Sequence, residues 1–179
     1  GDICTRVDLH SGKVTASDAD SINGIEGAKR AFDGDTHTKW LDFNKNGSWI
    51  QYEFFQATQI TAYSLTSASD EQSRDPLDWT MHGSLDGVSY VQLDSQTDIG
   101  FDARGERSTY KIGSTQSKYK FYKFQVKAVR DSRNANSVQL AELEFLTGDC
   151  ATSICCSCSG HGVCKQNVCS CDTGYTGLN

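Results

Sequence analysis

The 179-residue sequence has one proline, no cluster of lysine and arginine, and no apolar run approaching the roughly 18 residues a membrane-crossing helix needs. The missing run excludes a spanning helix. The missing basic cluster, with a formal net charge of −6, removes the electrostatic footprint that nucleic-acid binding requires. Histidine is scarce as well: His10, His37, His82 and His161 are the four, and none falls in an HExxH, GxSxG or Cys/His pattern. Chance carboxylate pairs are numerous enough that a glycosidase pair is not excluded by composition, but no catalytic motif is present and the chain reads as a non-enzyme. No signal peptide is visible at Gly1, so the start reads as a mature end or a cut boundary.

What is present is glycine, cysteine and strand-forming residues. Sixteen glycines with abundant Thr, Ser, Tyr and Val favour strands and turns over helices. The eight cysteines sit at Cys4, Cys150, Cys155, Cys156, Cys158, Cys164, Cys169 and Cys171. An even count with tight clustering predicts a disulfide framework and a secreted or cell-surface protein. Asn46-Gly47-Ser48 is the only N-glycosylation sequon, in a polar stretch that reads as an exposed loop, so Asn46 is a candidate glycoprotein site.

Apolar alternation predicts strands at 49–54, 60–66, 77–83, 90–93, 108–112, 119–129 and 138–145, with a tight hairpin turn at Leu85-Asp86-Gly87-Val88 and one helical turn within 26–32. About eight strands without sustained helical periodicity indicate an antiparallel sandwich or jelly roll. The lysines of 118–127 alternate with Tyr122, Phe124 and Val126 and read as the wet face of a strand. Trp40, Trp49 and Trp79 lie in or beside strand patterns and are assigned to the core. From Gly148 onward apolar residues give way to Cys, Ser and Gly, a composition that needs covalent staples because some 30 residues cannot build a core. Domains are therefore expected at 1–150 and 151–179.

The stretch AFDGDTHTKW, residues 31–40, crowds Asp33, Asp35 and Thr38 into one Gly-containing loop, the hard-oxygen clustering that Ca²⁺ prefers. Taken alone, its spacing favours an ordinary Asp-Gly turn over a cation site. With SWIQYEF (48–54), RDPLDWTMHGSLDG (74–87), YKFYKFQV (119–126) and VQLAELEF (138–145), in this order, it resembles the coagulation-factor type-C (discoidin) domain and its galactose-binding-like carbohydrate relatives. The resemblance runs from about residue 4 to 150. It implies an eight-stranded antiparallel jelly roll, a disulfide joining Cys4 to Cys150, and a structural Ca²⁺ tying an early loop to the last strand. The implied ligands are the carbonyls of Arg30, Asp35 and Ala141 with the side chains of Asp33, Thr38 and Glu142. Glu142 also interrupts an apolar strand, as expected of a carboxylate spent on a cation.

The resemblance further implies that partners dock on loops at one end: 18–27, 41–48 and 69–75, with 130–136. There Phe43 offers a flat apolar surface, and Asp42, Asp70, Arg74 and Asn134 offer polar contacts to sugar hydroxyls. As solvated loop residues they would need no such role. Membrane binding is disfavoured, because the first loop carries Asp18, Asp20 and Glu26 without a basic residue.

The tail, with CSGHGVC at 158–164 and CSCDTGYTG at 169–177, resembles a tenascin-type EGF-like repeat. That implies first-to-third, second-to-fourth and fifth-to-sixth pairing, with a last cysteine expected just beyond Asn179. Either the sequence is a piece of a longer protein or Cys171 pairs with whichever of Cys155 and Cys156 is left over. A zinc site from Cys155, Cys158, His161, Cys169 and Cys171 is the rival reading, disfavoured by the EGF-type turns. Two functions follow. One is a recognition or adhesion module of a larger extracellular protein that binds glycan or protein. The other is a structural subunit that self-assembles into an extracellular filament, coat or flagellar hair.

Overall fold

A computed structural model describes residues 4–9, 11–18, 23–113 and 117–150, together with the backbone of 162–165 and 168–171. In chain order the strands are β1 (Thr5–Arg6), β2 (Lys13–Ala16), β3 (Trp40–Asp42), β4 (Trp49–Thr58), β5 (Ala62–Thr66), β6 (Pro76–Ser84) and β7 (Val91–Gln96). They continue with β8 (Arg107–Lys111), β9 (Tyr119–Val129), β10 (Val138–Leu140), β11 (Glu142–Thr147), β12 (Gly162–Lys165) and β13 (Val168–Cys171). One sheet runs β2-β4-β9-β6-β7 and faces a second ordered β1-β11-β5-β8; β3 and β10 form a short pair. Every pairing is antiparallel.

Strand periodicity determines what lies between the sheets. Alternate residues of a strand point to opposite faces, so Ile50, Tyr52 and Phe54 of β4 meet Tyr122, Phe124 and Val126 of β9 on the inner face. Trp79 and Met81 of β6 extend that layer, and Tyr63, Leu65, Leu143 and Phe145 supply the opposite one. Each such side chain, fully buried, contributes roughly 1.5–3 kcal/mol. Trp79 Nε1 donates to the Tyr63 hydroxyl at 2.8 Å, which donates to Asp94 at 2.7 Å, whereas the buried Trp40 Nε1 has no hydrogen-bond partner among the described residues. Burial, reinforced by the Asp94 charge, pushes that hydroxyl's pKa upward, so it stays a donor.

The expected core tryptophans Trp40 and Trp79 are fully buried, whereas Trp49 is half-buried under Lys123. Cys4 and Cys150 are bonded, closing a separation of 146 residues. The helical turn is realised as a 3₁₀ segment, Ala28–Phe32.

Two strand expectations are corrected. The run 138–145 is not one strand: β10 pairs with β3, and after Ala141 the chain changes partner so that β11 pairs with β5. Ala141 N donates to Thr66 O at 3.0 Å at the changeover, which delivers Glu142 to the loop after the 3₁₀ turn. The hairpin after β6 is also wider than a two-residue turn. Asp86 accepts from the backbone of Val88 and Ser89, both at 2.8 Å, and organises a six-residue connection. Of the expected EGF-like tail, Cys155, Cys156, Cys158 and His161 lie outside the described residues. Cys164 and Cys169 are register partners in the β12–β13 ladder, with Cys171 opposite Gly162.

Candidate functional site

The start of β4, the start of β6 and the end of β9 lie side by side, so the connections 42–48, 67–75 and 130–137 meet at one end of the sandwich. Hydrogen bonds between them make that end a single rigid surface. Lys45 Nζ donates to the carbonyls of Ser132 (3.1 Å) and Ala135 (2.9 Å), and Asp131 N donates to Ser73 O at 3.0 Å. Asp75, fully buried, holds Arg104 through both carboxylate oxygens, while Arg104 Nη1 also donates to the carbonyls of Ala68 and Asp70.

The expected contact residues fall into distinct roles. Phe43 stands out from this surface with 67% of its area exposed, a flat ring with no core function. Asp42 does not: it is buried, accepting from Ser17 Oγ at 2.6 Å and from Asn44 N at 2.8 Å, so its carboxylate is spent on the loop itself. Asp70 receives Lys39 Nζ on both oxygens, at 2.7 and 2.8 Å. Partial burial would raise its pKa, but the Lys39 ammonium outweighs that and holds the carboxyl below the usual range. Arg74 lies in the 3₁₀ turn Gln72–Arg74 beside Asp70, and its Nε is buried without a partner among the described residues. Asn134 is exposed and donates to Asp131 at 2.6 Å.

Sequence reading did not find Lys39, Gln139 or Arg104. Lys39 also reaches Gln139 Oε1 (3.0 Å) and Glu26 (3.4 Å), and the fully buried Gln139 donates to the carbonyls of Asp70 and Glu71. A glutamine in the apolar run VQLAELEF was the one available signal.

A second cluster lies between the 30–38 loop and β11. Gly34, at φ +79°, adopts a left-handed conformation that favours glycine and donates its N–H to Glu142 Oε1 at 3.0 Å. Thr38 Oγ1 lies 2.9 Å from Asp33 Oδ2 and 3.0 Å from the Asp35 carbonyl. The Asp35 carboxylate turns away to His37, leaving its carbonyl for the cluster. Arg30 Nη1 reaches Asp33 at 3.3 Å, and Ala141 is buried at the strand changeover. Glu142 is only 2% exposed, and its Oε2, buried beside Asp33, meets no hydrogen-bond donor among the described residues. Burial and the adjacent Asp33 carboxylate push its pKa up to about 8. A buried carboxylate with an orphaned oxygen beside a second carboxylate is what a bound cation would relieve. Two carboxylates, a hydroxyl and backbone carbonyls form a hard-oxygen set fitting Ca²⁺. No group of three or more His, Cys, Asp or Glu side chains placed for a metal occurs among the described residues.

The profile of the F5/8 type C domain matches residues 13–143. A peptide-N(4)-(N-acetyl-β-glucosaminyl)asparagine amidase of Arabidopsis thaliana is 38% identical over 139 residues, covering 75% of this chain but 19% of its own length. The chain thus spans about a fifth of that relative. Among solved structures, CpGH89CBM32-5 from Clostridium perfringens, in complex with GalNAc-β-1,3-galactose, aligns with a TM-score of 0.65 at 23% identity, covering 79% of this chain and 99% of that one. The family 32 CBM from C. perfringens NanJ, in complex with galactose, aligns with a TM-score of 0.63 at 15% identity, covering 81% and 100%. At these identities the structural likeness establishes the fold: a sandwich of two antiparallel sheets.

Proposed function

The chain belongs to the F5/8 type C domain family, and from that premise we propose that it is a non-catalytic carbohydrate-binding module of a larger secreted protein, holding glycan at the end formed by residues 42–48, 67–75 and 130–137. The observation that carries this reading is Phe43, a two-thirds-exposed ring on loops otherwise fastened down by Lys45, Asp75 and Arg104. An exposed aromatic face beside fixed polar groups is how a protein grips a sugar: the ring covers the apolar C–H face while the polar groups orient hydroxyls. Asp70 and Arg74 are the polar groups assigned to that task, with Asn134 at the edge. Asp42 sets the shape of the Phe43 turn. The sugar complexes of the two Clostridium modules support the reading by analogy of fold.

A structural Ca²⁺ is assigned to Asp33, Thr38 and Glu142 with the carbonyls of Arg30, Asp35 and Ala141. When bound it would neutralise two adjacent carboxylates and pin the 30–38 loop to β11. The Cys4–Cys150 disulfide supports an extracellular setting, since such bonds persist in oxidising compartments. The amidase relative supports attachment to a longer polypeptide that acts on glycoconjugates.

A glycan array probed with the wild-type chain and with Phe43→Ala tests the assignment. Binding to galactose- or GalNAc-terminated glycans that disappears in the variant is expected. Polymerisation of the protein with no glycan retained would favour a self-assembling structural subunit instead.

A further inference from the structure

We propose that Asn46 carries an N-linked oligosaccharide and that this oligosaccharide screens the glycan-binding end; the screening rests on the function proposed above. Asn46 lies three residues from Phe43, in two consecutive turns closed by Lys45 N to Asp42 O (3.4 Å) and Ser48 N to Lys45 O (3.2 Å). Its side chain is exposed and has no hydrogen-bond partner among the described residues. Gly47 follows at φ +99°, with open space where a Cβ would project, and its N–H pairs with Val126 O at 2.8 Å.

Ser48 supplies the independent observation. It is fully buried at the start of the sandwich, and its hydroxyl has no partner among the described residues. A buried hydroxyl left unpaired is a net cost to folding, and alanine would fill the space without it. Among the described residues nothing calls for an oxygen at that atom, whereas the Asn-X-Ser acceptor sequence does. The burial also dictates timing. Because the hydroxyl is inaccessible once β4 has paired with β9, the transfer acts on the unfolded chain. The Asn46 amide nitrogen bonds to the anomeric carbon of a lipid-linked oligosaccharide pyrophosphate. The anomeric C–O bond breaks, the pyrophosphate departs with the electron pair, and the amide loses one proton.

Rooted in the turn that presents Phe43, the attached chain is bulky, hydrated and held at high local concentration over the loops. It therefore competes with sugar arriving from solution. The full 179-residue chain, expressed through a eukaryotic secretory pathway that modifies a control sequon, is examined by intact and peptide mass spectrometry beside Asn46→Gln and Ser48→Ala. A glycan mass at Asn46 in the wild type and in neither variant is expected; an unmodified wild type overturns the proposal. Ser48→Ala should melt no lower than Asn46→Gln, both lacking the glycan, and a lower melting temperature would show that the hydroxyl serves the fold. With galactose as probe, the glycosylated protein should bind at least roughly threefold more weakly than Asn46→Gln, and equal affinities refute screening. Absence of galactose binding by either form overturns the screening together with the binding function, while the mass measurement still decides the modification.

Discussion

Replacing Arg104 by methionine tests how the binding loops are held. Asp75 is fully buried, and Arg104, 27% exposed at its side chain, is its charge partner. The substitution keeps the aliphatic stem but strands the carboxylate and removes a donor from the carbonyls of Ala68 and Asp70, the latter keeping Gln139. Breaking a buried pair by removing one member costs about 3–5 kcal/mol, and the partial exposure of Arg104 places this case near 3 kcal/mol at neutral pH. In a domain of this size that corresponds to a fall in melting temperature of roughly 6–12 °C. The sign of the pH dependence follows from Asp75. Burial raises its pKa even against the pull of Arg104, so its contribution to stability is full below the unfolded carboxylate value and is lost as pH rises through the folded one. Without Arg104 that pKa rises further. The deficit of the variant should therefore be greatest near pH 7 and shrink as pH falls to about 3, below the unfolded carboxylate value, where the carboxyl is largely neutral in both states. Urea unfolding followed by the fluorescence of buried Trp40 and Trp79 measures it, and Arg104→Met/Asp75→Asn should recover most of the loss. A deficit under about 1 kcal/mol at pH 7, well short of the cost of stranding a buried charge, or one that does not change with pH, would refute this account of the loops.

Other consequences are as direct. Calcium should raise the melting temperature and a chelator lower it, and Asp33→Asn or Glu142→Gln should abolish the response; calorimetry with and without chelator checks this. Removing the Cys4–Cys150 bond by a double serine substitution should cost up to roughly 5 kcal/mol on the chain-entropy account of so long a loop, read by chemical denaturation of oxidised wild type against the variant. Phe43→Ala should leave stability within about 0.5 kcal/mol, as for other exposed substitutions, while weakening sugar binding at least tenfold by titration calorimetry.

The sandwich was legible because each long strand carries its own period-two signal: Ile50-Tyr52-Phe54 and Tyr122-Phe124-Val126 point inward as their alternation requires. The break at Ala141 was not, since VQLAELEF keeps its apolar rhythm across it and only the partners, β3 and then β5, reveal the change. In the candidate site, Phe43 was found as an apolar residue in a polar loop. Asp42 was misjudged, because a carboxylate that caps its own turn and one that faces a ligand look alike in sequence. Lys39, Gln139 and Arg104 act across separations of 29 to 100 residues, and no local pattern encodes them. Asp33 and Glu142 were joined by family resemblance alone, because only the fold sets them side by side, with Gly34 N donating to Glu142 Oε1.

The central claim, that sugar is held at the Phe43 end, is tested most directly by titrating the isotope-labelled chain with galactose and following its backbone amide resonances. The account predicts saturable shifts confined to residues 42–48, 67–75 and 130–137, absent in Phe43→Ala. Shifts clustered elsewhere on the sandwich, or none at millimolar galactose, would contradict it.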